Sequence, residues 1–174
     1  MQITITTIGA VSDDAIAAMT PLLRSAFHAD VAATAGVEMP QSAFSRSRAQ
    51  HSSTALLDLL ARRKQPGWDR LLGIVDVDLY VPELNFVFGE ADARQGVAVF
   101  SLARLHTSDR DRFLHRAATE AIHELGHTFK LTHCDNPQCV MWFSNTLAET
   151  DRKGTDFCAT HARALETAVK TRPD

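Results

Sequence analysis

The sequence is poor in cysteine, has one tyrosine and carries no strong excess of either charge. Each shortage removes a class of protein. Three cysteines, Cys134, Cys139 and Cys158, are too few and of the wrong parity for a disulfide framework; they point to metal ligands or free thiols. No apolar run approaches the twenty residues that cross a bilayer, so no membrane association is expected. The stretch Met1–Ile8 lacks the positive start and apolar block of a secretory leader, and the expected location is cytoplasmic. A formal net charge of -3 supplies no field that would draw the chain onto nucleic acid. Repeats, low-complexity tracts and linkers are also missing. What remains is 174 residues, 45% apolar and 22% charged, enough for one domain of ordinary globular composition.

Periodicity outlines that domain. Residues 2–8 alternate as a strand does. Residues 13–27 predict a helix with Ile16, Met19, Leu22, Leu23 and Phe27 on one face. A weak Ala-rich strand is expected over 29–33, and 34–51 reads as polar and irregular. A second helix spans 53–63 and ends in Arg62-Arg63-Lys64, suited to the negative helix end. Residues 71–77, Leu-Leu-Gly-Ile-Val-Asp-Val, match a central parallel strand buried on both faces. Two further strands are expected at 85–89 and 96–102, the first antiparallel at the sheet edge. A long helix follows, with Ser108 as its N-cap and Asp111 three residues on. One i, i+4 row on it is Phe113, Ala117, Ala121 and Leu125; beside it run Leu114, Ala118 and Ile122. A last helix covers 157–171. This order predicts an α/β sandwich around a twisted mixed sheet.

The long helix carries His123-Glu124-Leu125-Gly126-His127. Residues four apart share a helix face, so two imidazoles can each bring a nitrogen to about 2.0–2.1 Å from one Zn²⁺. Glu124, one step round from His123, sits beside such an ion rather than on it. There it can take a proton from the attacking water. His133 lies six residues past His127, and Cys134 and Cys139 follow at once.

His-Glu-Leu-Gly-His-Thr-Phe-Lys-Leu-Thr-His resembles the metzincin pattern H-E-x-x-H-x-x-G-x-x-H, with Lys130 in place of the glycine. The continuation through Cys134, Cys139, Met141 and Cys158 is more specific and resembles the archaemetzincin family. The stretches Gly73–Pro82 and Asn85–Glu90 are similar to that family too. The resemblance implies a metzincin-like three-layer sandwich with a twisted, mixed five-stranded sheet, an active-site helix and a zinc-stabilised C-terminal subdomain. A single catalytic domain over 1–174 would divide into 1–127 and 128–174. It further implies a zinc peptidase with two Zn²⁺ per chain. His123, His127 and His133 would hold the catalytic ion, and Glu124 would be the general base. Met141 would lie beneath the site. Cys134, Cys139 and Cys158 would hold a structural zinc, with His161 in the place of the family's fourth cysteine; Cys₃His is an ordinary zinc set. Peptide is the expected substrate, through possible aminopeptidase action on short peptides by a monomer.

Lys130 leaves two outcomes open. The motif's glycine serves a turn with positive φ, which costs other residues about 1–2 kcal/mol. Either Lys130 accepts that conformation and His133 reaches the metal, or another turn leaves a non-catalytic zinc-binding protein that docks a peptide or partner. A third option, a nucleic-acid zinc finger over 134–161, lacks the interleaved basic and aromatic residues. Phe143 stands two residues past Met141, where some metzincins have tyrosine, so no side chain is assigned to the oxyanion. His28, His51, His106 and His115 have no metal-like spacing. Asp76 and Asp78 fit a strand-end turn better than a support for the site. Asp78 and Glu90 are the carboxylates available to hold a substrate amine.

Overall fold

The computed structural model describes residues 1–171. Its sheet is built on β1 (Gln2–Thr7) and β5 (Arg70–Val75), which run parallel at its centre. β2 (Asp30–Ala33) adds in parallel to β1 on one side, and β8 (Val97–Ser101) adds in parallel to β5 on the other. β7 (Gly89–Asp92) closes the far edge antiparallel to β8, giving the order β2-β1-β5-β8-β7. The result is the expected mixed five-stranded sheet. β1 differs from the half-buried strand its alternation predicts: Thr4 and Thr6 are as deeply buried as Ile3 and Ile5. A strand at the centre of a parallel sheet has no wet face, and Thr6 Oγ1 donates to the Ala35 carbonyl at 3.0 Å.

Helices cover both faces. α1 (Asp13–Phe27) and α3 (Arg110–Thr128) pack Met19, Leu23, Ala117, Ala121 and Leu125 against Ile3, Ile5, Leu72 and Phe100. α2 (Ser53–Arg63) covers the opposite face with Leu56, Leu57 and Leu60 on Leu71, Val75, Val97 and Val99. The amphipathic pattern places α1 and α2 at the residues observed. Ser52 caps α2, its hydroxyl accepting from the Ala55 amide.

The structure corrects several expectations. α3 is capped by Asp109, not Ser108; the Asp109 carboxylate accepts from the Arg112 amide at 3.1 Å. The edge strand begins at Gly89, where 85–89 was expected, and it pairs with β8 rather than with the strand before it. Residues 82–88 are held as a loop, because Arg48 donates to the Pro82 and Leu84 carbonyls and Gln50 Nε2 donates to that of Asn85. Among the described residues the segment's one bridge is the isolated antiparallel pair Val87–Leu79, and Phe86 and Phe88 meet edge to face. The stretch read as irregular holds β3 (Phe44–Ser45) and β4 (Gln50–Ser52), which join β6 (Leu79–Tyr80) in a small second sheet. Beyond α3 come a single turn, α4 (Leu147–Thr150), with a capping box between Thr146 and Glu149, and then α5 (Ala159–Lys170). No helix among the described residues is long and apolar enough to cross a membrane.

Candidate active site

α3 presents His123 and His127 one turn apart, and their Nε2 atoms lie 3.1 Å from each other. The opposite nitrogens are already committed. His123 Nδ1 donates to the Val140 carbonyl and His127 Nδ1 to that of Leu131, each at 2.8 Å. A neutral imidazole that donates from Nδ1 bears only a lone pair on Nε2. Burial holds both rings below their usual pKa, His123 furthest, which favours the neutral form. Two lone pairs so close repel unless a cation lies between them. Nitrogens at tetrahedral angles about one zinc would be about 3.3 Å apart.

The third histidine arrives through the turn at the end of α3. The Lys130 amide donates to His127 O at 2.9 Å, and the Leu131 amide donates to Gly126 O at 3.3 Å. This is a Schellman motif, whose next-to-last residue is left-handed and usually glycine. Lys130 takes that position with φ of 64°, and its exposed side chain runs into solvent. The left-handed conformation costs about 1–2 kcal/mol, and two satisfied carbonyls offset it. His133 consequently lies with His123 and His127, their nearest ring nitrogens all within 4.8 Å of one another. Phe143 packs on its ring at 4.7 Å.

These histidines floor a cleft of about 610 Å³ beneath the β7 edge. Glu124 lies in it, and two glycines make room for the arrangement. A Cβ on Gly89 would stand 2.6 Å from Glu124 Cγ, and one on Gly126 would stand 2.5 Å from Met141 Sδ. Met141 is fully buried against α3 below the histidines. Burial raises the Glu124 carboxyl well above the usual range; Glu120, one turn earlier, raises it further, and Lys153 opposes the rise. Glu120 and Lys153 both line the cleft, and both are almost completely buried. The spacing of Glu120 and Glu124 on one helix face is legible in the sequence. Lys153, in a polar stretch twelve residues past Met141, has no sequence signal.

A second cluster lies behind the first. Cys134 Sγ is 3.9 Å from Cys158 Sγ, and His161 Nδ1 is 3.3 Å from Cys158 Sγ and 3.8 Å from Cys139 Sγ. The sulfurs are too far apart for a disulfide. They match the spacing of about 3.8 Å that thiolates take around one zinc. His161 Nε2 donates to the Thr132 carbonyl, which leaves the Nδ1 lone pair facing the sulfurs. The backbone amide of His161 at the start of α5 lowers the Cys158 thiol to about 6, whereas burial raises that of Cys139 to about 11. His133 and Cys134 are chain neighbours, so consecutive side chains enter different clusters.

The remaining candidates separate cleanly. Asp78 is held by Arg104 and Gln50, and Asp76 by His106; neither lines the cleft. Glu90 does line it, and accepts from the Ser53 and Thr54 hydroxyls. His28 ends α1, His51 packs on Phe44, His106 stacks on Phe113 and His115 donates to the Lys153 carbonyl. None of these four belongs to either cluster.

An α/β/α sandwich whose central helix supplies two histidines and a carboxylate to a cleft beside an edge strand defines a metal-dependent hydrolase. Residues 16–167 match the Peptidase family M54. The chain is 45% identical over 133 residues to an archaemetzincin of Methanopyrus kandleri, covering 76% of this chain and 75% of the relative. It is 40% identical over 178 aligned residues to an archaemetzincin of Pyrococcus abyssi, covering 95% and 94%. The crystal structure of the Methanopyrus kandleri archaemetzincin superposes with a TM-score of 0.90 at 36% identity, over 98% of this chain and 96% of that one. The protein therefore belongs to peptidase family M54 and is a zinc metallopeptidase, a hydrolase that acts on peptides.

Proposed function

We propose that the cleft hydrolyses peptide bonds with His123, His127 and His133 holding a catalytic zinc and Glu124 as general base. The observation that carries this reading is the pair of facing Nε2 atoms, 3.1 Å apart, on rings that both donate from Nδ1. Such a donor set suits zinc in a site that keeps an open position. The bound ion would supply Lewis-acid activation of the water and the scissile carbonyl. Glu124 accepts the proton of the attacking water and delivers it to the departing amine. Cys134, Cys139, Cys158 and His161 hold a second, structural zinc, which stabilises residues 128–174 as a subdomain on the 1–127 portion. The protein acts as a cytoplasmic monomer.

Glu90 supports aminopeptidase action on short peptides, because its carboxylate lines the cleft and is oriented by Ser53 and Thr54. Acetylating the substrate's N-terminus then abolishes cleavage; equal cleavage of free and acetylated peptides removes the exopeptidase assignment. The catalytic reading is tested by Glu124→Gln. Two zincs per chain and an unchanged melting temperature are expected, with kcat lower by roughly 10²–10⁴-fold. Undiminished turnover in that variant overturns the mechanism.

A further inference from the structure

The cleft contains a charged pair that hydrolysis by Glu124 does not require. Lys153 Nζ lies 3.1 Å from Glu120 Oε1, and the two side chains are 1% and 3% exposed. Lysine is almost never buried this completely, and an ion pair here is less favourable than well-packed apolar residues. Its retention in a cleft wall calls for a use. The pair is also unevenly satisfied. Glu120 Oε1 meets Lys153 and, at 3.5 Å, the Thr150 hydroxyl. An ammonium has three N–H donors, and among the described residues Lys153 Nζ has no acceptor besides Glu120. Two of the three Lys153 donors are therefore left for an incoming acceptor, in a low-dielectric pocket where a hydrogen bond is strongest.

We propose that Lys153, held in place by Glu120, is a specificity-determining residue that receives a planar oxygen acceptor from the substrate. The ligand chemistry is a carboxylate or carboxamide at the end of a side chain, as in Glu, Gln, Asp or Asn. The wall is close enough to the reacting centre for this to matter, since Lys153 and Glu120 line the same cleft as His123, Glu124, His127 and His133. The neighbouring wall residues Phe143, Ser144 and Asn145 leave the pocket open to solvent on one side for entry. Discrimination against cations comes from Lys153 itself: a substrate lysine would meet its ammonium head-on. Methionine, close in size to glutamine and glutamate, would leave the donors unused.

The inference rests on the peptidase reading, and the test separates the two. Alanine-rich hexapeptides carrying Gln, Glu, Met or Lys at each position in turn are incubated with the zinc-loaded protein, and products are mapped by mass spectrometry. Calorimetric binding of the same peptides to the Glu124→Gln protein is read in parallel. At the position that occupies the pocket, Gln or Glu is preferred over Met by about tenfold or more in kcat/KM and in affinity. The Glu-to-Gln ratio distinguishes charge from hydrogen bonding as the source. In Lys153→Met that preference collapses to within about twofold. Should this variant fold poorly with Glu120 left unpaired, the double variant Glu120→Gln/Lys153→Met removes both charges together and is expected to favour Met. Equal or better use of Met by the wild type, or an unchanged ratio in the variants, overturns the proposal. Absence of any binding order does the same. A Lys153-dependent order of binding without hydrolysis supports it and overturns the peptidase reading instead.

Discussion

Two clusters of metal-capable side chains meet at the neighbouring residues His133 and Cys134, and they are built in opposite ways. The histidine cluster stands on a helix that is buried continuously from Arg116 to Gly126, so its first two members are positioned before any ion binds. Its Nδ1–H groups are fixed by backbone carbonyls, and one side faces the cleft. The cysteine cluster draws its members from an irregular stretch and from the first turn of α5. Few apolar side chains fix that stretch: Leu131, Val140 and Met141 are buried besides Cys139, and Leu147 and Phe157 pack against the core only in part. One cluster is a product of the fold, and the other substitutes for a core the local sequence does not have. On the proposed reading, an ion at the first would add chemistry, and an ion at the second would add structure.

The harshest test of that difference is Cys139→Ser. Structural zinc binding is also folding free energy, so this variant should lose one zinc and roughly 10 °C or more of melting temperature. Activity should disappear with them, because Cys134 releases His133. A melting temperature unchanged within a few degrees would mean that the segment folds without the ion. His133→Ala should give the complementary result. One zinc and the activity are lost, while thermal stability of the metal-free protein shifts by only a few degrees. A large drop there would show that the histidine cluster is structural as well.

Gly89→Ala sharpens the comparison from the cleft side. Its added methyl meets Glu124 Cγ and the Val99 carbonyl, both at 2.6 Å, so the edge strand or the base must move. Turnover should fall about 10²-fold with both zincs retained. A smaller effect comes from acid. Arg116 holds the Asp151 carboxyl below its usual range and ties α3 to the segment after α4. A lowered folded pKa stabilises above the unfolded value of about 3.9 and stops doing so as pH falls through the folded value. Acid unfolding of the wild type should therefore steepen below about pH 4, and Arg116→Met should flatten that limb in a circular-dichroism titration. The mildest change is Lys130→Gly, which relieves the left-handed residue and should raise stability by about 0.5–1 kcal/mol with zinc content unaltered. A loss of stability would mean that Lys130 contributes through its side chain.

Much of this was legible in the sequence wherever periodicity and motif spacing carry information. α1 and α2 follow directly from their apolar faces, and β5 follows from an unbroken apolar run. The two clusters are signalled by residue type and spacing alone. Shorter features are not. β3, β4 and β6 have two or three residues each, too few for any period to register, and β4 pairs with β6 across a long separation. The edge strand was misplaced because Phe86, Val87 and Phe88 look like a strand while serving as a loop and cleft wall. Lys153 reads as a solvated surface residue among polar neighbours. Only the packing of that stretch against α3 takes it out of water and sets it beside Glu120.

The adjacency of His133 and Cys134 has a thermodynamic consequence. A single peptide unit belongs to both clusters, so ordering it for one removes part of the entropy cost of ordering it for the other. Linkage makes this reciprocal: whatever one ion gains from the other, the other gains from it. The two centres are then not separate accessories on one scaffold. If both clusters hold an ion, metal released from either would weaken the hold of its neighbour, and scarcity would favour filled and empty chains over half-loaded ones.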